Sequence, residues 1–182
     1  MDLVPQLRGR FGRPFTYVEQ CASTQRLLDD APEGAVAATD EQTDGRGRLG
    51  RKWQAPAGTS LLFSIVLEPK VPAERLPELS LVAGSAVAEA IGTEASLRTT
   101  VKPPNDVLVD GRKVAGILAE ATDGRVVLGI GVNVSQTRAQ LPGDSATSLA
   151  LESATADRVA LLATILARLE AHYDRWVTSA DR

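Results

Sequence analysis

Apolar positions fall into short runs along most of the chain and into one long stripe near its end. Residues 15–20 (FTYVEQ) predict a short strand. Residues 35–41 (AVAATDE), small and apolar, predict a buried one. Between them Ser23-Thr24 reads as a helix cap ahead of residues 25–30, with Pro32 and Gly34 ending that helix. A continuous apolar run over 61–68 (LLFSIVLE) has strand length. Residues 76–91 (LPELSLVAGSAVAEAI) are Ala-rich and apolar on most sides, which predicts a largely buried helix. Residues 97–101 predict another strand. Three more strands, 107–109, 113–121 and 125–134, are joined by Asp110-Gly111 and Asp123-Gly124. Asp-Gly favours the tight turns whose twist suits hairpins, so these three strands form a meander. A polar linker spans 135–154. Val159, Leu162, Leu166, Leu169, Tyr173 and Trp176 then recur at spacings of three and four, one apolar stripe that packs a helix onto the sheet. Hairpins outnumber βα alternations, so the class is α+β: a mixed, mostly antiparallel sheet backed by helices, in a single domain over residues 1–182.

The stretch from Thr43 to Ser60 interrupts this pattern. It holds Gly45, Gly47, Gly50 and Gly58 and four basic residues, Arg46, Arg48, Arg51 and Lys52, with almost nothing to bury. It reads as a long loop, and loops of that length in a compact domain are commonly functional or disordered. Gly45, Gly47 and Gly50 match G-x-G-x-x-G. The dinucleotide fold needs a helix directly afterwards, and Pro56 and Gly58 stand where it would grow. No G-x-x-x-x-G-K-[ST] phosphate loop is present either. What survives is chemical. Glycines let a backbone approach an anion, arginines donate to phosphate or carboxylate, and Trp53 suits a flat ring. A solvated basic loop would have the same composition.

Two further segments hold polar groups among small residues. In Gly111-Arg112-Lys113-Val114-Ala115-Gly116-Ile117-Leu118, Lys113 opens an otherwise apolar strand, and Gly116 marks a place where a ligand could approach. A lysine there could stabilise charge on a carboxylate or phosphoryl oxygen, or be merely the polar residue after a turn. In Gly129-Ile130-Gly131-Val132-Asn133, two glycines alternate within a strand, which a bulge or a ligand pressing on the backbone would explain.

Composition narrows the classes. The 182 residues carry 20 Lys+Arg against 23 Asp+Glu, a net charge of −3, which argues against a protein that coats nucleic acid. One Cys and one His exclude both an internal disulfide and an ordinary tetrahedral N/S zinc site. Cys21 reads as a small buried thiol and His172 as a surface or core-edge residue. No secretory signal opens the chain and no run is long enough to span a membrane, so the expected location is cytoplasmic.

From Phe15 to Leu149 the order of motifs resembles the catalytic domain of biotin protein ligases. The resemblance rests on Ser23-Thr24, Gln42, the Gly45–Trp53 loop, Lys102 with Pro104-Asn105-Asp106, Lys113 with Ala115-Gly116-Ile117-Leu118, and Gly129–Asn133. It implies the class II aminoacyl-tRNA synthetase/biotin ligase-like fold. It also implies two steps: biotin and ATP, with Mg²⁺, give biotinyl-5′-adenylate, and the acyl group then passes to a lysine of a biotin carboxyl carrier protein. Ser23, Thr24 and Gln42 would bind biotin. Gly45, Arg46, Gly47 and Arg48 would close over biotin and the adenylate, with Arg51 on the nucleotide side. Trp53 would shelter the adenine, and Lys113, with Arg48, would carry the chemistry. Gly116 and Ile117 would lend backbone to the biotin pocket. Lys102, Asn105, Asp106 and Asn133 would face the nucleotide, with Asp106 on the metal. Two positions depart from the pattern: Pro103 replaces Trp, and Gln25 replaces Asn. No N-terminal helix-turn-helix and no C-terminal SH3-like barrel are expected. The oligomeric state, a homodimer included, is left open. A lipoate–protein ligase, whose relatives lack the basic glycine loop, and a non-catalytic paralogue that holds biotin or its adenylate are the competing readings.

Overall fold

The computed structural model describes residues 5–179. Seven strands, β1 (Phe15–Cys21), β2 (Val36–Gln42), β3 (Ser60–Leu67), β4 (Thr100–Lys102), β5 (Asp106–Val109), β6 (Arg112–Thr122) and β7 (Arg125–Asn133), form one sheet in the order β1-β2-β3-β7-β6-β5-β4. Only β1 and β2 run parallel; every other neighbouring pair is antiparallel. Two α-helices, α1 (Leu79–Ala95) and α2 (Arg158–Thr178), complete the α+β architecture expected from the pattern.

The sheet has two chemically different faces. Leu61, Phe63, Ile65 and Leu67 of β3, Ile117 of β6, and Leu128, Ile130 and Val132 of β7 are buried in one cluster with both helices. The alternate positions carry Ser60, Leu62, Ser64, Gly116, Leu118, Gly129, Gly131 and Asn133, mostly small or polar, and among the described residues no α-helix covers them. The period-two alternation of strands produces this division. The helices bury Leu79, Ala83, Ala86, Val87, Ala90 and Ile91 of α1 against Leu161, Leu162, Ile165, Leu166 and Leu169 of α2. Asp157 caps α2 by accepting hydrogen bonds from the amides of Val159 (2.6 Å) and Ala160 (3.2 Å). The buried stripe of α2 is broader than the spacing alone indicates. It includes Leu161 and Ile165, because the helix packs on both α1 and β3, while Val159 is only half-buried.

Both Asp-Gly pairs make the expected turns, with positive φ at each residue (46° and 76°, then 51° and 82°). The strand expected at 97–101 is confined to Thr100–Lys102. Two local readings change. Ser23-Thr24 does not cap a helix. Only a 3₁₀ turn, Arg26–Leu28, follows, without a side-chain cap, because the Thr24 hydroxyl is engaged with Ser64 across the sheet. Residues 135–154 are not a plain polar linker. Gln136, Thr147 and Ser148 are buried and hydrogen-bonded, and Ala146 bridges to Lys113, so polarity here marks an internal network.

Candidate active site

The open face of the sheet floors a cavity of about 740 Å³. One row of residues crosses five strands beneath it: Lys102 of β4 pairs with Asp106 of β5, Asp106 with Gly116 of β6, Gly116 with Gly131 of β7, and Gly131 with Leu62 of β3. Every residue to which the resemblance gives a role lines this cavity except Gly45, which is buried. Gly45 has its own reason to be glycine: a Cβ there would lie 2.4 Å from the Trp53 carbonyl oxygen.

At one end sits a polar cluster. The Gln42 Oε1 accepts from the Thr24 amide (2.8 Å) and hydroxyl (3.2 Å), and the Thr24 and Ser64 hydroxyls are 2.7 Å apart. Ser64, a polar interruption within an apolar strand, is a site residue that sequence reasoning passed over. Gln25 lies beside this cluster, over Gly129, and donates to the Val127 carbonyl (3.2 Å).

At the other end are cations. Lys113 extends from the start of β6 to within 2.6 Å of Asp106 and lies 5.6 Å from the Trp53 ring centroid. Arg46, Arg48, Arg51, Lys52, Lys102 and Lys113 all line the cavity, against a single carboxylate, Asp106. Such a surplus favours an anionic occupant. The basic loop folds back on itself as a small hairpin. Trp53 donates to the Gly45 carbonyl (2.9 Å), Gly47 donates to Arg51 (2.8 Å), and Arg46 bridges Lys52. Arg46 pairs with Glu120 (2.9 Å), Arg48 reaches Asn105 (3.5 Å), and Leu49 at the tip is 88% exposed with φ 58°.

Of the two causes expected for the strand glycines, the bulge is overturned. Strand β7 pairs without a bulge, and the protein's own side chains fill the space: Gln25 over Gly129, Trp53 over Gly131 and Gly116. The Trp53 Nε1 is buried there without a hydrogen-bond partner. Ile117 offers backbone only, since its side chain is in the core on the far face. Its amide donates to Asn105 (2.9 Å) and its carbonyl accepts from the Asn105 carboxamide (2.8 Å). Asn133 is likewise occupied, donating to the Thr147 carbonyl (2.9 Å) and accepting from Gln136 (3.0 Å). Pro142, Ser145 and Ala146 complete the wall from a segment that the sequence reading left outside the site.

Among the described residues no three His, Cys, Asp or Glu side chains gather as a metal cage. Asp106 alone fits a cation that takes most of its ligands from phosphate oxygens and water, which is how Mg²⁺ is commonly held. Cys21 is half-buried, its thiol pushed up by burial, and it is absent from the cavity wall. His172 sits at the edge of the helical layer and meets Glu89 of α1 (2.9 Å). Among the described residues no helix is long and apolar enough to cross a membrane.

The strand-built floor carries a polar end, a cationic end and a glycine hairpin, and residues 13–136 match the biotin/lipoate A/B protein ligase family, to which the chain belongs. Over 92% of its length the chain is 36% identical to the bifunctional ligase/repressor BirA of Bacillus spizizenii. Over 90% it is 39% identical to the biotin–[acetyl-CoA-carboxylase] ligase of Mycobacterium tuberculosis. It spans 56% and 65% of the lengths of those two relatives. A solved structure of the biotin protein ligase of Aquifex aeolicus in complex with biotin and ATP superimposes with a TM-score of 0.81 at 34% identity, covering 90% of this chain and 72% of that one.

Proposed function

We propose that this chain is the catalytic part of an ATP-dependent biotin protein ligase. The observation that carries this reading is one cavity with the Thr24–Gln42–Ser64 cluster at one end and Lys113 with the arginine hairpin at the other. A cyclic urea presents both donors and acceptors, which suits the hydroxyls and the carboxamide. A carboxylate and a triphosphate repel each other, and the cationic end offsets that repulsion.

In the first step the biotin carboxylate oxygen attacks the α-phosphorus of ATP. A C–O–P bond forms, the bond to the β-phosphate oxygen breaks, and pyrophosphate leaves. Lys113 stabilises the charge on the carboxylate and α-phosphoryl oxygens, and Arg48 and Arg46 close over the product. Trp53, Lys102, Arg51, Asn105 and Asn133 belong to the nucleotide side of this reading. Mg²⁺, held through Asp106 and the phosphates, would neutralise charge on the leaving pyrophosphate. In the second step the neutral amine of a carrier-protein lysine attacks the acyl carbon. An amide forms, AMP leaves, and the proton goes to solvent. No covalent enzyme intermediate is needed, which agrees with a cavity lined by neither Cys21 nor His172. ATP as substrate and a carrier domain of biotin-dependent carboxylases as partner go with a cytoplasmic location.

The test is biotin-dependent exchange of labelled pyrophosphate into ATP. Exchange with biotin supports the reading. Exchange with lipoate alone assigns the chain to the lipoate ligases, and biotin binding without exchange assigns it to a non-catalytic paralogue.

A further inference from the structure

Lys113 is seated by more than its own strand. Its amide donates to the Ser145 carbonyl (2.8 Å) and its carbonyl accepts from the Thr147 amide (2.8 Å), so residues 145–147 form a strap along its backbone. The strap takes the edge of β6 that β7 leaves open, since β7 ends at Asn133 and its pairing with β6 begins only at Ala115 and Val132. The strap is anchored on its far side by Glu152. That carboxylate is only 8% exposed, accepts from the Thr147 hydroxyl, and pairs with Arg112 at 2.8 Å. Arg112 is the residue before Lys113, so the contacts close a ring: Lys113 backbone, Thr147, Glu152, Arg112 and back to Lys113.

We propose that Glu152 is a positioning residue for Lys113, acting through Thr147 and Arg112 without touching the substrates. The proposal rests on the ligase reading above. Glu152 and Arg112 are absent from the cavity wall, so neither meets biotin or nucleotide there. Their ring fixes the root of a four-carbon side chain, and a shift of that root is transmitted to the ammonium that must meet developing charge. Displacements of about 1 Å in such groups cost up to about a hundredfold in rate.

Glu152→Ala is expected to lower kcat of pyrophosphate exchange by about ten- to a hundredfold, with KM for biotin and ATP changed less than about twofold. Glu152→Gln keeps an oxygen that accepts from Thr147 and Arg112, and is expected to restore most of the rate. Thr147→Val, which preserves volume and removes the hydroxyl bond, shifts kcat in the same direction as Glu152→Ala and guards against a folding failure of the alanine variant. The decisive comparison is in a Lys113→Ala background. If Glu152 acts through Lys113, adding Glu152→Ala costs almost nothing more. Multiplicative losses, or a loss confined to KM, overturn the proposal. Hydrogen exchange gives an activity-independent readout: the Lys113 and Thr147 amides should exchange faster in Glu152→Ala than in wild type, and equal rates overturn the strap. A wild-type chain without exchange activity defeats the ligase reading, while the amide rates still decide whether Glu152 holds Lys113.

Discussion

Trp53 lies so close to Gly131 that a Cβ on the glycine would sit 2.7 Å from the indole. The same ring closes over Gly116, at 3.0 Å from a Cβ there, and leaves its Nε1 buried without a partner. The ring thus occupies the middle of the row that floors the cavity.

Biotin, or more strongly biotinyl-adenylate, should therefore displace Trp53 and free its Nε1 to find a partner. In a Trp176→Phe background, where Trp53 is the remaining tryptophan, emission should shift on ligand addition. An unchanged spectrum at saturation would show that the indole stays on Gly131. Gly131→Ala should strain the resting contact by about 1–3 kcal/mol, so its melting temperature should fall without ligand.

Lys113→Ala should slow adenylate formation about a hundredfold or more, by removing a donor aimed at developing charge. The chain should remain folded, because the Lys113 side chain is a third exposed and its Nζ ion-pairs with Asp106 at the site rather than packing in the core. Single-turnover formation of adenylate measures the effect, and a wild-type rate would refute the role given to this lysine.

The basic hairpin should become protected from trypsin when adenylate binds. Arg48 and Arg51 are exposed in the free protein, and their mutual repulsion is relieved by an anion. Arg48→Ala should raise release of adenylate into solution more than it weakens initial biotin binding. Cleavage after Arg46, Arg48 or Arg51 that proceeds equally fast with and without biotinyl-adenylate would dismiss the lid.

A pH effect follows from the contact of Arg10 with Asp174 on α2. The hydrogen bond from Arg10 holds the Asp174 carboxyl below its ordinary value of 3.8. Its contribution is therefore present above about pH 4 and is lost as pH falls through the depressed native value. Both side chains are about half exposed, so the pair contributes no more than about 1 kcal/mol. Asp174→Asn should lower the melting temperature slightly at pH 7, by an amount that shrinks as pH falls below about 4.

The pattern of the chain located the meander and the last helix, because two Asp-Gly turns divide 107–134 and the three-four stripe in 159–176 allows one kind of element, but it expected a helix at 25–30 where only a 3₁₀ turn forms. Lys113 at the head of an apolar strand and the arginines among glycines each left a bland reading open, and it was the order of the motifs along the chain that singled them out. Ser64 was hidden because a single serine in an apolar strand has no local signature; its meaning comes from Thr24, 40 residues away. Gly129 and Gly131 were correctly seen as unusual, but only the fold shows that Gln25 and Trp53 are what they admit. The strap at 145–147 was misread because buried polar residues and solvated ones look alike until their partners are known.

The row that joins Leu62, Gly131, Gly116, Asp106 and Lys102 takes one residue from each of five strands, the consecutive strands β4 to β7 and the much earlier β3 that pairs with β7. Such a site has no partial form: it exists only when the sheet has closed from β3 to β4. Loss of binding on heating or in denaturant should therefore coincide with global unfolding instead of preceding it. Conversely, any ligand that spans the row clasps five strands at once, so occupancy raises the cooperativity of the whole sheet as well as its stability.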